Sequence, residues 1–126
     1  MIGSTRNVHV YACGAPVSMR NGVEGLAAIA RHDLRRDPMN GDLYLFVGID
    51  RRRAKVLYFD GTGMCLFYKR LEKGRFASVW SDGTRGQIKL TMTELTLFLE
   101  GSQLVGRFPV SPAAIGENEL AIAFRP

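Results

Sequence analysis

Two apolar segments joined by a four-residue turn sequence constrain the fold of this chain more than any other feature. Residues 54–60 and 64–71 are rich in β-branched, aromatic and other apolar side chains. Between them, Asp60-Gly61-Thr62-Gly63 supplies residues that tolerate a positive φ, as a tight turn requires. The pattern predicts a β-hairpin.

The positive charge of the chain is concentrated in the same region. Between Arg51 and Arg75 there are eight basic and two acidic residues, a net charge of +6 in 25 residues, whereas the whole chain carries +5. The basic residues are Arg51, Arg52, Arg53, Lys55, Lys69, Arg70, Lys73 and Arg75. A localised basic patch is the usual electrostatic footprint of a phosphate-bearing partner. The alternative is a solvated charged rim that only maintains solubility.

The register of the hairpin decides whether the basic residues meet. With the turn centred near Thr62, we expect Lys55 to lie opposite Lys69, and Arg53 opposite Leu71. The two basic runs would then come together at the open end of the hairpin and form one patch.

The remaining sequence predicts a compact, single-domain α+β fold with a mainly antiparallel sheet, a central β-hairpin and two helices. Strands are expected at residues 7–12, 43–48 and 87–90, and a helix from about Gly22 to Leu34. Thr91-Met92-Thr93-Glu94 matches a capping box and predicts a second helix that stops near Gly101. Residues 1–101 form the expected domain, and residues 102–126 form a divergent tail with a candidate strand at 120–124.

Composition excludes several classes of protein. The apolar fraction of 46% in 126 residues is enough for a core, so disorder is not expected. No apolar run approaches the roughly 18 residues of a membrane span, and the N-terminus lacks a secretory pattern. We therefore expect a cytoplasmic protein with no membrane partner. Cys13 and Cys65 have no metal-binding spacing; we expect no metal or cofactor, and a core position for Cys65.

The sequence offers little for catalysis. His9 and His32 are the two histidines, and neither accompanies a nucleophile motif. A metal-dependent nuclease would need several converging carboxylates, for which Asp60, Asp82 and Glu94 are the candidates. Each has a local explanation, in a turn, a loop and the capping box respectively. We therefore predict a protein that is not an enzyme, with a small nuclease as the remote alternative.

The aromatic residues allow two interpretations. The two strands of the hairpin carry the aromatic residues Tyr58, Phe59, Phe67 and Tyr68. A sheet that displays aromatic beside basic side chains can stack unpaired bases. We favour the alternative, in which the helices and the tail cover both faces of the sheet. Trp80 lies in a polar segment and is predicted to be exposed, which makes it the better aromatic candidate for a nucleic-acid contact.

Three segments resemble one family of mobile-element proteins. They are residues 19–27 (Met-Arg-Asn-Gly-Val-Glu-Gly-Leu-Ala), residues 55–76, and Leu99-Glu100-Gly101. Together they resemble the TnpB-type accessory protein, the second reading frame, of the sixty-six-type bacterial insertion sequences, which is unrelated to the larger RNA-guided nucleases of the same label. The resemblance runs from about Met19 to Gly101. It departs from the family pattern at Asn21, where lysine is usual, and at Val23, where an aromatic residue is usual.

The resemblance implies a role in DNA transposition beside a separate transposase, and it supplies no catalytic residues. We therefore expect a non-enzymatic accessory protein that binds DNA phosphates, the transposase of its element, or both. The expected nucleic-acid-binding residues are Arg51, Arg52, Arg53, Lys55, Lys69, Arg70, Lys73, Arg75 and Trp80. Phosphate contacts position a protein without reading sequence, so a weak sequence preference is expected. The alternative is an adaptor that contacts the transposase without touching DNA; the sequence does not determine the oligomeric state.

Overall fold

The structure is a computed structural model that describes residues 7–80 and 87–101. Its elements follow the predicted order and confirm a compact α+β fold. They are β1 (Val10–Cys13), α1 (Val23–His32), β2 (Leu43–Val47), β3 (Arg53–Phe59), β4 (Met64–Arg70), β5 (Gln87–Leu90) and α2 (Met92–Leu99). The proposed tail, the loop residue Asp82 and the strand at 120–124 lie outside the described residues.

The five strands form one sheet in the order β4-β3-β2-β1-β5. The predicted hairpin is present, and β2, β3 and β4 form an antiparallel meander. Strand β1 pairs parallel with β2 and antiparallel with β5. A parallel pair needs a crossover connection, and α1 provides it. Every residue of β2 is buried, because this strand is central and both faces of the sheet are covered.

Each face of the sheet carries its own core and one helix. On one face, α1 buries Leu26, Ala27 and Ala30, which recur at helical spacing, against a cluster that includes Tyr44 and Phe46. On the opposite face lies a larger cluster that contains the α2 side chains Leu95, Leu97 and Phe98 together with Val56 and Phe76. The rings of Phe76 and Phe98 stack with their centroids 4.9 Å apart.

The predicted capping box at the start of α2 is confirmed. The Glu94 N–H donates to Thr91 Oγ1 (3.0 Å), and the Thr91 N–H donates to Glu94 Oε1 (2.7 Å). The predicted stop is also confirmed, because Gly101 adopts a φ of 72° after the last turn.

The predicted register of the hairpin is wrong by one residue. Arg53 lies opposite Arg70, Ala54 opposite Lys69, and Lys55 opposite Tyr68. The cause is the turn. Phe59 pairs with Met64, so four residues form the loop and no single residue stands at its centre. A shift of one residue reverses the face on which a side chain projects, so Lys55 and Lys69 lie on opposite faces of the sheet.

Two predictions of side-chain environment are also wrong. Trp80 is partly buried and packs against the core on the α2 face, because Ala77 and Val79 draw its segment onto the sheet. Its indole Nε1 is buried and has no hydrogen-bond partner in the described part of the chain. Cys65 is only partly buried, because it lies on β4 at the edge of the sheet, whereas Cys13 in β1 is buried.

Candidate nucleic-acid interface

Three connecting segments meet at one end of the strands of the sheet. Because β1 and β2 are parallel, both stop at this end of the sheet, where β3 begins and β4 stops. The Val17 N–H in the segment after β1 donates to Val47 O (3.0 Å) at the end of β2. The Leu71 N–H after β4 donates to Arg52 O (2.8 Å) in the turn between β2 and β3. Backbone hydrogen bonds therefore hold the connecting segments together at this end of the sheet.

Three arginines surround one cavity at this end of the sheet. Arg52, Arg53 and Arg70 line a space of about 380 Å³ together with Asp50, Leu71 and Glu72. Arg53 and Arg70 are direct register partners, so their side chains project on the same face of the hairpin. We call Arg51, Arg52, Arg53 and Arg70 the basic cluster.

One carboxylate partly neutralises the basic cluster. Asp50 Oδ2 lies 3.1 Å from Arg53 Nη2, and this ion pair is partly exposed to solvent. A hydrogen bond from the Arg52 N–H, followed by the charge of Arg53, lowers the pKa of Asp50, so this carboxylate is ionised at neutral pH. The Arg52 guanidinium donates to the backbone carbonyl of Glu72 (3.1 Å), which orients it without cancelling its charge. The cluster thus keeps a net positive charge.

Arg51 occupies a backbone conformation that usually belongs to glycine. Its φ is 57°, in the turn closed by hydrogen bonds from Arg51 N–H to Gly48 O (2.9 Å) and from Gly48 N–H to Arg53 O (3.0 Å). A residue with a Cβ in this left-handed region is strained by about 1 kcal/mol. The turn therefore retains an arginine side chain at a position where glycine would relieve the backbone strain.

Two further predicted residues add positive charge at this end of the sheet. Lys73 and Arg75 are exposed in the segment that follows β4. Both ends of that segment bond to the β2–β3 turn, because Leu71 N–H donates to Arg52 O and Phe76 N–H donates to Arg51 O (2.6 Å). This anchoring keeps Lys73 and Arg75 at the same end of the sheet as the basic cluster.

The structure does not bring the other predicted residues into the cluster. Lys55 Nζ donates to the backbone carbonyls of Met19 (2.9 Å) and Asn21 (2.8 Å), and it lies 5.4 Å from the centroid of the Tyr68 ring. Its ammonium therefore fastens the segment before α1 to the sheet. Lys69 projects on the face opposite to Arg70, and Trp80 packs on the core of the α2 face.

A second cavity brings in two residues that the sequence does not single out. It measures about 370 Å³, and its lining includes the exposed residues Arg20 and Ile49. Arg53, which is partly exposed, lines both cavities. Ile49, in the β2–β3 turn, is 71% exposed. The parallel pairing of β1 with β2 places the Arg20 segment beside this turn. A charge count along the chain misses Arg20, because it lies about thirty residues from the basic run.

The described residues show no arrangement suited to metal chemistry. Within residues 7–80 and 87–101, no three His, Cys, Asp or Glu side chains are grouped so that they could hold a metal ion. Asp60 Oδ1 accepts hydrogen bonds from the backbone N–H groups of Thr62 and Gly63 (2.9 Å each), and Glu94 is buried in the capping box. No helix in this part of the chain is long and apolar enough to cross a bilayer.

Comparison with known proteins assigns the family. The model for the IS66 Orf2 like protein family, TnpB_IS66, matches residues 8–107. The chain belongs to this family. Membership confirms the resemblance found in the sequence, and it makes the chain an insertion-sequence accessory protein.

Two relatives in Sinorhizobium fredii (strain NBRC 101917 / NGR234) support the assignment. Uncharacterized protein y4hO is 37% identical over 101 residues, which cover 80% of this chain and 86% of the relative. Uncharacterized protein y4jC is 33% identical over 101 residues, which cover 80% of this chain and 85% of the relative. No solved structure matches the chain.

Proposed function

We propose that this IS66 Orf2-like protein assists transposition as a non-enzymatic factor that binds DNA phosphates through its basic cluster. One observation carries the proposal: Arg52, Arg53 and Arg70 converge on one cavity, although Arg53 and Arg70 are seventeen positions apart in the chain. The DNA of the element and its transposase are the partners that the family setting suggests.

The chemistry of the cluster suits phosphate. The guanidinium group is planar, remains charged, and presents N–H donors in a fork that matches two oxygens of a phosphate. The cavity, of about 380 Å³, allows several arginines to approach one phosphate or two neighbouring phosphates. Lys73 and Arg75, exposed on the adjoining segment, add charge along a phosphate backbone. These contacts fix the position of a protein on DNA but carry little sequence information.

A salt series tests the proposal. Fluorescence anisotropy would measure binding to the terminal repeat DNA of the element and to a scrambled duplex. Each neutralised phosphate contributes a slope of about −0.9 to log K against log salt concentration. We expect a slope of several units with both duplexes and affinities that differ little between them. Absence of binding at low salt would refute DNA binding.

Matched variants locate the binding surface. Replacing Arg52 and Arg70 by alanine should make the slope shallower by about two units, since each contributes about one phosphate contact. The control replaces Arg31 and Lys89 by alanine; both are exposed, on α1 and β5, and the net charge changes equally. Equal losses in the two variants would show a response to overall charge and would exclude a defined site.

A protein contact is the second candidate, and the exposure of Ile49 favours it. An isoleucine that is 71% exposed beside an arginine cluster gives this end of the sheet an apolar centre with a charged rim, as in many protein interfaces. The partner would be the transposase of the element. Co-purification with the transposase after nuclease digestion, lost in Ile49→Ser but kept in Met92→Ser, would support this function. Met92 serves as the control because it is an exposed apolar residue on α2.

A further inference from the structure

Strand β4 is an edge strand of the sheet in the described part of the chain. It has seven residues, pairs with β3 on one side, and has no pairing partner on its other side among the described residues. The Leu71 N–H donates to Arg52 O, and the register continues without a bulge from there to Phe59 and Met64. Backbone direction alternates along an antiparallel strand, so odd-numbered residues of β4 bond to β3. Met64, Leu66, Tyr68 and Arg70 therefore direct their N–H and C=O groups away from the sheet.

The centre of this edge is apolar. Phe67 is 44% exposed and Tyr68 is 49% exposed, and as consecutive residues of a strand they project on opposite faces. Natural proteins usually protect an edge with proline, a bulge, a short strand or central charges. In β4 the charges, Lys69 and Arg70, stand at one end. The edge at β5 is different, because that strand has four residues and an exposed Lys89.

We propose that β4 pairs antiparallel with β4 of a second copy of the chain, about a two-fold axis at Phe67. In this register Met64 lies opposite Arg70 of the other copy, and Leu66 lies opposite Tyr68. All four outward-directed residues of one strand then face the four of the other, so their backbone groups satisfy each other. A two-fold interface is self-complementary and closed, which suits a homodimer.

The side chains fit the same register. The two Phe67 rings meet at the axis on the α2 face, and Tyr68 packs beside Leu66 of the other copy on the α1 face. Aromatic cross-strand pairs of this kind stabilise antiparallel sheets. Both exposed aromatic side chains of β4 thereby lose contact with water on both of their copies.

Charge selects the antiparallel arrangement and a second copy as the partner. Parallel pairing would place Lys69 and Arg70 of the two copies side by side, and like charges on adjacent strands repel. In the antiparallel register, the basic end of each β4 lies beside the Asp60 turn of the other copy. Hydrogen bonds from Thr62 and Gly63 lower the pKa of Asp60, so the turn carries a negative charge at neutral pH. The proposal does not require DNA binding, because backbone pairing and the side chains of Phe67 and Tyr68 carry it, and Arg70 of the basic cluster contributes only its backbone groups.

Sedimentation and amide hydrogen exchange on the full chain test the pairing. We expect a dimer that dissociates on dilution. In the dimer, the amides of Met64, Leu66, Tyr68 and Arg70 should exchange at least about tenfold more slowly than in the diluted monomer. A monomer at every concentration would overturn the proposal. Protection of these amides in a monomer would also overturn it, because another segment of the same chain would then cover the edge.

Substitutions at the axis complete the test. Phe67→Lys places two ammonium groups opposite each other at an exposed position, so we expect a folded monomer. The control Met92→Lys removes an equally exposed apolar side chain from α2 and should remain a dimer. A dimer of Phe67→Lys would place the interface elsewhere and overturn the proposal.

Cross-linking tests the register without relying on a loss of dimer. Phe67→Cys should form a disulfide between two copies under mild oxidation, because directly opposite residues at the axis have Cα atoms within disulfide range. The wild type should not cross-link, since Cys65 lies opposite Lys69 of the other copy, and Met92→Cys should not cross-link either. Failure of Phe67→Cys to cross-link in a dimer would overturn the proposed register.

Discussion

At the scale of single residues, the basic side chains of the hairpin have separate tasks. Arg70 lies opposite Arg53, and both line a cavity, whereas the ammonium of Lys55 donates to two backbone carbonyls. These carbonyls belong to Met19 and Asn21, in the segment that leads into α1. Lys55 therefore stabilises the fold, and the arginines present charge to solvent. A charge count along the sequence treats all of them alike.

Replacing Lys55 by methionine should destabilise the protein. Methionine keeps most of the apolar stem but leaves the two carbonyls without their donor, and hydrogen bonds that involve a charged group contribute about 1.5–3 kcal/mol. We expect the free energy of unfolding to fall by about 1–3 kcal/mol in urea titrations. Lys69→Met is the control, because Lys69 lies opposite Ala54 and has no such bonds, and it should change stability by less than about 0.5 kcal/mol. Equal stability of the two variants would contradict the assigned role.

Arg51 allows stability and binding to be separated at one residue. Arg51→Gly relieves the left-handed backbone strain at φ 57° and keeps the backbone bond from Phe76 N–H. Glycine also increases the freedom of the unfolded chain, so the net gain should lie between zero and about 1 kcal/mol. Arg51→Ala keeps the strain and should be less stable than Arg51→Gly.

The same substitution should weaken DNA binding. If Arg51 contacts a phosphate, Arg51→Gly makes the salt slope shallower by about 0.9 while the unfolding midpoint in urea does not fall. A variant with an unchanged slope would show that the side chain has no phosphate contact.

At the scale of elements, short local signals define where helices and strands begin and end. The capping box starts α2, and Gly101 ends it. The Asp60 turn makes the hairpin and also determines its register, because its length decides which residues pair. Both signals act over three or four residues, so the presence of α2 and of the hairpin could be predicted from the sequence, whereas the predicted register of the hairpin is wrong by one residue.

The Asp60 turn should lose stability in acid. The Thr62 N–H, the Gly63 N–H and the Thr62 hydroxyl donate to its carboxylate and lower the pKa of Asp60 below its ordinary value. A depressed folded-state pKa stabilises the folded turn above the unfolded pKa of about 3.9, and this stabilisation is lost as the pH falls through the folded value. Exchange protection and chemical shifts of the Thr62 and Gly63 amides should therefore change below about pH 4.

Asp60→Asn provides the control for this titration. Asparagine can still accept the turn hydrogen bonds through its amide oxygen but has no charge to lose in this range. Its Thr62 and Gly63 amides should show no acid transition. A transition of the same size in Asp60→Asn would assign the effect to another group.

At the scale of the whole molecule, the position of a strand in the sheet decides how accessible its side chains are. Cys13 is buried in β1, within the sheet, and Cys65 is partly buried in β4, at the edge. Reaction of the Cys13 thiol therefore requires the sheet to open, whereas the Cys65 thiol is partly accessible in the folded protein. Burial also raises the pKa of Cys13, which reduces its thiolate fraction.

Thiol labelling should distinguish the two cysteines. Under native conditions we expect Cys65 to react with iodoacetamide at least about tenfold faster than Cys13, because labelling of Cys13 requires the sheet to open. Mass spectrometry of the labelled peptides measures both rates, and in urea at full unfolding they should become similar. Faster native labelling of Cys13 would contradict its buried position.

The errors about Trp80 and Arg20 have a different cause from the register error, namely contacts between segments that are distant in the chain. The strands, both helices and the hairpin could be predicted, since apolar periodicity and turn residues encode them locally. Trp80 looked exposed because its neighbours in sequence are polar, yet Val79 and the core of the α2 face bury much of it. Arg20 could not be predicted as a neighbour of Arg53, because a parallel strand pair brings their segments together.

The sequence by itself determined the secondary structure, the family and the concentration of positive charge between Arg51 and Arg75. Each of these depends on residues that are close in the chain. Only the tertiary structure decided which charges meet, which one is used to hold the fold, and which strands lie at the two edges of the described sheet. These outcomes depend on the order and register of the strands. A displacement of one residue reverses every side chain on a strand, and no local signal specifies the neighbour of an edge.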